Sequence, residues 1–137
     1  MINFNYIVKF TCTNEKFLSQ WMAASILSES KKLGELNYIF CNDTYLLDLN
    51  RKHLNHDTLT DIISFDDSLG NQISGEIYIS IDRIKENAKE YNVSFLDELH
   101  RVMIHGILHF CGYNDKSKEE KRIMREKEDY YLSLRTF

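Results

Sequence analysis

The residues best equipped for chemistry stand together in one stretch, His105-Gly-Ile-Leu-His109-Phe-Cys-Gly112-Tyr-Asn-Asp115. Two histidines at i and i+4 of a helix share one face, with Cβ atoms about 6 Å apart. Both imidazoles can then reach a single ion at about 2.0–2.1 Å. Gly112 can take the left-handed conformation that ends a helix. The chain would then turn back and present Asp115 to the same ion from another side. Three protein ligands leave a position open for water, which is the arrangement of a catalytic rather than a structural zinc site. The bland alternative is a pair of buried, hydrogen-bonded histidines beside an ordinary surface aspartate.

The spacing H-x-x-x-H-x-x-G-x-x-(H/D) also occurs in metzincin proteases, where a Glu after the first histidine is the general base. Here that position is Gly106, which has no side chain to take a proton. A peptide hydrolase would need a base from elsewhere, and that class is demoted.

Several elements must position this stretch. Ser94 caps a helix that runs through His109, and Lys116 or Ser117 starts a charged terminal helix. Upstream, INFNYIVKF (2–10) reads as a first strand. Residues 15–32 read as an amphipathic helix capped by Thr13 or Asn14, with Phe17, Trp21, Ala24 and Leu27 as its apolar face and Gly34 as its stop. LNYIFC (36–41) is a short strand, and Asn42-Asp43-Thr44 caps a helix of roughly ten residues. TDIISF (60–65), a turn at 66–71 and GEIYISI (75–81) form a hairpin. Asp82 caps a helix to Tyr91. The expectation is an α+β fold, a small mixed sheet of about four strands packed with about five helices, with a zincin-like metal site on a helix. Nothing repeats and nothing is low-complexity, so residues 1–137 read as a single domain.

Composition narrows the function classes. The net charge of −4 gives no general attraction to nucleic acid, so an RNA partner would need a local basic patch, and DNA is not expected. Cys12, Cys41 and Cys111 are odd in number and far apart, which suits a reducing compartment better than a disulfide framework. The N-terminus lacks the basic-then-apolar pattern of a signal peptide, and the apolar run Trp21–Leu27 is too short to cross a bilayer. The expectation is a soluble cytoplasmic protein without a membrane partner.

With the pattern H-G-x-L-H-x-x-G-Y-x-(H/D) in place, the chain resembles the YbeY-type endoribonucleases. The likeness extends upstream through Leu49-Asn50, Asp57, Thr60-Asp61-Ile62-Ile63-Ser64-Phe65 and Gly75-Glu76-Ile77, and covers roughly residues 36–130. The resemblance implies a metal-dependent endoribonuclease that cuts single-stranded RNA. Its role would lie in 16S rRNA 3′-end maturation and ribosome quality control, with rRNA and the small ribosomal subunit as partners. His105, His109 and Asp115 would hold one Zn²⁺. Two departures stand out. Many members have His where this chain has Asp115, and a carboxylate takes one unit of charge off the site. The bound water becomes less acidic, and manganese becomes more conceivable. Many members also carry Arg where Leu54 stands here. Either Arg51 and Lys52, one helical turn earlier, take over that contact, or the ribonuclease step differs.

Other residues carry weaker readings. Glu98 and Arg101 lie seven and four residues before His105, on its face, so they are candidates to orient a histidine or a water. Pairing with each other across i, i+3 is the plainer account. Ser64 could line the cleft beside the strand. His100 points away from the pair, His53 and His56 read as surface residues, and Cys111 reads as a small buried residue. The segment from Lys116 to Asp129 reads as a solvated helix face, with Ile123 and Met124 turned inward. Two other functional classes stay open: a hydrolase of peptides or small molecules, and a non-catalytic ribosome assembly factor whose metal is structural.

Overall fold

The computed structural model describes residues 1–56 and 58–137; Asp57, one of the residues of the family resemblance, lies outside them. The chain forms β1 (Ile2–Tyr6), α1 (Glu15–Ser28), β2 (Lys32–Cys41), α2 (Asp43–Leu54), β3 (Ile62–Asp66), β4 (Gln72–Ser80), α3 (Ile81–Tyr91), α4 (Phe95–Phe110) and α5 (Lys118–Ser133). The sheet order is β1-β2-β4-β3. β1 and β4 run parallel to β2, and β3 closes an antiparallel hairpin with β4. This is the expected mixed α+β fold.

Strand alternation sorts the core. Tyr38 and Phe40 of β2 lie beside Ile77 and Ile79 of β4, and these four pack against α1 and α4. Cys41, Ile63 and Leu46 form a smaller cluster beneath α2 on the opposite face. α4 is the spine: Leu99, Val102, Met103, Ile104, Ile107 and Leu108 are all buried. It lies close on the sheet because Gly106 faces it. A Cβ there would come within 3.0 Å of Ile77 and 3.1 Å of Ile62. The position where a metzincin carries its base is therefore pressed against the sheet, where even a Cβ would have to push the isoleucine side chains aside.

Several sequence expectations need correction. α1 ends at Ser28, not at residue 32, and Gly34 lies inside β2, which starts at Lys32 rather than at 36. The stop is Ser30 at φ 60°, with Lys31 N–H donating to the Ile26 carbonyl, so a serine takes the role expected of glycine. The buried face of α1 is Leu18, Trp21, Met22, Ser25 and Ile26. Leu27 is exposed, and Phe17, also exposed, stacks on Phe137. Neighbouring apolar residues on both sides of the true face blurred its phase. Asn14 occupies the N-cap position of α1 but makes no side-chain cap. β1 stops at Tyr6, and β4 starts at Gln72. α3 is capped by Ser80, whose Oγ accepts from Arg83 N–H at 3.3 Å, rather than by Asp82. Ser94 caps α4, and Ser117 forms a capping box with Glu120 on α5.

His100, off the metal face, is buried between Trp21 and Phe137 and accepts from Arg135 through Nδ1 at 2.8 Å. Burial, then the Arg135 charge, pushes its pKa down to about 4. The unfolded imidazole titrates near 6.5, so below that pH the unfolded chain binds the proton first. Stability is then lost progressively down to about pH 4. In chelator-treated protein, the urea midpoint should fall between pH 7 and 4.5, with roughly 2 kcal/mol coming from this group. A His100→Gln variant should show a correspondingly flatter profile; an unchanged profile would remove His100 from the account.

Candidate metal centre

α4 delivers His105 and His109 one turn apart, with ring centroids 4.5 Å apart. The return to Asp115 is built by the helix end. Gly112 sits at φ 106°, its N–H bonds the His109 carbonyl, and Tyr113 N–H bonds the Leu108 carbonyl, which together make a Schellman motif. The result is a triangle. His105 Nε2 and His109 Nε2 are 2.9 Å apart, and Asp115 Oδ2 lies 3.3 Å from the first and 3.4 Å from the second. These atoms all lie within 4.8 Å of one another, so the group could hold a metal ion.

The outer nitrogens decide what the inner ones can do. His109 Nδ1 is 2.9 Å from the Tyr113 carbonyl, which can only accept, so Nδ1 carries the proton. His105 Nδ1 is 2.7 Å from Glu128 Oε2 and donates likewise. In neutral rings both Nε2 atoms then turn lone pairs towards each other and towards the Asp115 carboxylate. Three electron-rich atoms facing inward repel unless a cation lies between them. A tetrahedral ion with ligands at about 2.0–2.2 Å would separate them by about 3.3–3.6 Å. The two carboxylate edges match that range, and a small ring rotation would open the imidazole edge. The donor set therefore fits a divalent cation.

Glu128 is the site residue that sequence reasoning missed. It comes from α5, which reads from sequence as a solvated face, yet it is 5% exposed. Besides His105 it accepts from Arg101 Nη1 at 3.0 Å, and Arg101 also reaches Asp129 at 3.0 Å. The carboxylate that orients His105 is thus Glu128 and not Glu98. Glu98 is buried, and its oxygen lies 4.0 Å from Arg101 Nε. Burial lowers the pKa of His105, but the hydrogen bond it donates to Glu128 and the charges of Glu128, Asp115 and Asp61 outweigh it, so the net direction is upward. No sequence signal marks Glu128; it lies 23 residues from His105.

Beside the triangle opens a cleft of about 260 Å³, lined by Asp61, Glu98, Arg101, His105, Asp115 and Arg125 among others. Burial raises the pKa of Asp61 and of Glu98 from their ordinary values. Ser64, Arg51 and Lys52 are not among its lining residues. Ser64 pairs with Ile77 and shares the α4 face of the sheet. Arg51 lines a separate cleft with Ile7, Val8 and Tyr45, and Lys52 pairs with Asp48 at 3.2 Å. Leu54, at the end of α2, is exposed, as are His53 and His56. Cys111 packs against the core, and burial pushes its thiol up to about 11, which does not suit a thiolate ligand.

A second set of contacts holds the loop that supplies the Tyr113 carbonyl. Glu29, at the end of α1, accepts from Tyr113 Oη at 2.7 Å, from Lys127 Nζ at 3.1 Å and from Tyr131 Oη. The histidine at the end of α4 is thereby tied to α1 and α5 through one half-buried carboxylate.

The fold and the site together define an α+β chain with a helix-borne group of two imidazoles and a carboxylate that could hold one metal ion. The sequence profile described as Endoribonuclease YbeY matches residues 5–135, and the chain belongs to that family. A Flavobacterium psychrophilum protein named Endoribonuclease YbeY is 57% identical over 98% of this chain and 96% of its own length. A Flavobacterium johnsoniae protein of the same name is 55% identical with the same coverage. The solution structure of the Thermotoga maritima protein TM1509 is 28% identical and superposes with a TM-score of 0.68, covering 97% of this chain and 87% of that one. No helix among the described residues is long and apolar enough to cross a membrane.

Proposed function

We propose that this protein is a single-domain, zinc-dependent endoribonuclease that cuts single-stranded RNA in the cytoplasm. In this reading its substrate is the 3′ end of 16S rRNA on the small ribosomal subunit, in maturation and quality control. The carrying observation is the convergence of His105, His109 and Asp115 at the wall of an open cleft, in a chain whose relatives are named endoribonucleases. A divalent ion bound there supplies Lewis acidity towards a phosphoryl oxygen or a water. The chain does the rest. The Tyr113 carbonyl and Glu128 fix both imidazoles with their Nε2 lone pairs inward. Arg101 and Arg125 bring positive charge to the cleft that takes a phosphodiester.

Incubation of single-stranded RNA with protein of measured metal content tests this reading. Cleavage that tracks one equivalent of zinc, with no hydrolysis of peptides, is the expected result. Full metal content with intact RNA would instead favour an assembly factor with a structural ion. A second measurement addresses the carboxylate ligand. Asp115→His should keep one equivalent of metal and bind it as tightly or more tightly, because imidazole nitrogen is as good a zinc donor as a carboxylate oxygen and offsets the lost charge. Loss of metal from this variant would show that imidazole cannot replace the carboxylate there, and unchanged affinity in Asp115→Ala would place Asp115 outside the ligand set.

A further inference from the structure

Every carboxylate of α5 already has a partner. Glu119 and Glu126 flank Arg122 on the outer face, and Glu120 closes the capping box. Glu128 takes His105 and Arg101, and Asp129 takes Arg101 as well. Of the cations, Lys127 reaches back to Glu29. Three are left over. Lys118 and Lys121 are exposed, with no ion-pair partner among the described residues, and Arg125 is exposed and reaches Glu128 only at 3.8 Å.

These three stand at i, i+3 and i+7, so they share one face over about 10 Å of helix. Their placement follows the site. Arg125 lines the cleft together with His105 and Asp115, and Lys118 begins the helix shortly after Asp115. The stripe therefore runs alongside the triangle; Glu119 and Glu126 lie further round the helix, and Glu128 and Asp129, which share its side, are taken up by His105 and Arg101. In a chain of net charge −4, three cations without a close carboxylate on one helix face supply the local positive charge that a polyanion requires.

We propose that the α5 face formed by Lys118, Lys121 and Arg125 seats the phosphodiester strand of single-stranded RNA as it passes the His105–His109–Asp115 group. The inference rests on the endoribonuclease reading above and adds to it the path of the substrate. Two flexible lysines act as point charges and hold phosphates without reading bases, whereas the Arg125 fork at the cleft can grip one phosphate through two donors.

The test uses the full-length protein as purified and a single-stranded 2′-O-methyl RNA 12-mer, followed by fluorescence anisotropy from 50 to 200 mM KCl. The triple variant Lys118→Gln/Lys121→Gln/Arg125→Gln should bind at least about tenfold more weakly at the low-salt end. Its slope of log affinity against log salt should be shallower by up to about 2, at about 0.7 per lost phosphate contact. Lys16→Gln, an exposed cation on α1 away from the stripe, should match the parent in both. Equal affinity and slope for triple variant and parent, or no binding by the parent at all, overturns the proposal. RNA cleavage measured separately tells this failure from failure of the functional reading: a parent that cleaves but does not use the stripe keeps its activity in the triple variant.

Discussion

His109→Ala will lose the metal and, with it, RNA cleavage, while the helix content stays at the parent level. His109 supplies one corner of the triangle, and its outer nitrogen is held by the Tyr113 carbonyl, so no neighbouring side chain stands ready to replace it. With two ligands left, the site falls below the three that open catalytic zinc sites use. Metal content should drop from about one equivalent to near zero. Cleavage should fall by at least about a thousandfold, since no other group in the site supplies Lewis acidity. The fold should survive, because the ring is only partly buried and α4 is held by its opposite, apolar face. Elemental analysis with circular dichroism on the same sample decides it: full occupancy by the variant would refute the ligand assignment.

The second large effect belongs to Glu128. Its carboxylate is buried and joins two jobs, orienting His105 and neutralising Arg101. Glu128→Leu removes both and leaves Arg101 with only the exposed Asp129 and the distant Glu98 oxygen. Breaking one side of a buried pair costs roughly 3–5 kcal/mol, so the urea midpoint should fall sharply. Glu128→Gln separates the jobs. An amide oxygen can still accept from His105 Nδ1, but the charge that makes the ring a better donor to a cation is gone. Metal affinity should weaken about 10–100-fold, the range found for partners of ligating histidines, with a smaller loss of stability. Metal competition against a calibrated chelator reads the affinity; unchanged affinity in Glu128→Gln would reduce Glu128 to a structural ion-pair partner of Arg101.

The location of Glu128 explains why part of the site could be read from the chain and part could not. His105, His109, Gly112 and Asp115 lie within eleven consecutive positions, and their relation follows from helix geometry and one glycine cap. Helix pitch makes i and i+4 neighbours in any context. Gly106 was legible in the same way, as an absent base. The hairpin of β3 and β4 followed from β-branched alternation around a turn, and Ser94 and Ser117 followed from the chemistry of orphan amides. Each of these is a local rule.

What lay beyond local rules was set by packing. The phase of α1 depended on which apolar flank met β2, and the sequence had apolar residues on both. Arg51 and Lys52, close in sequence to the departed arginine at Leu54, face other partners because α2 covers the sheet on the side opposite α4. The charge pattern of α5 showed only mixed signs; the antiparallel seating of α5 on α4 consumed Glu128 and Asp129 and left Lys118, Lys121 and Arg125 over. The sequence by itself therefore determined the candidate ligands and the helix that carries them, because those contacts span one or two turns. The tertiary structure alone decided the carboxylate behind His105, the anchor behind Tyr113 and the cations beside the cleft. Those depend on side chains from distant segments meeting in space, which no spacing along the chain encodes.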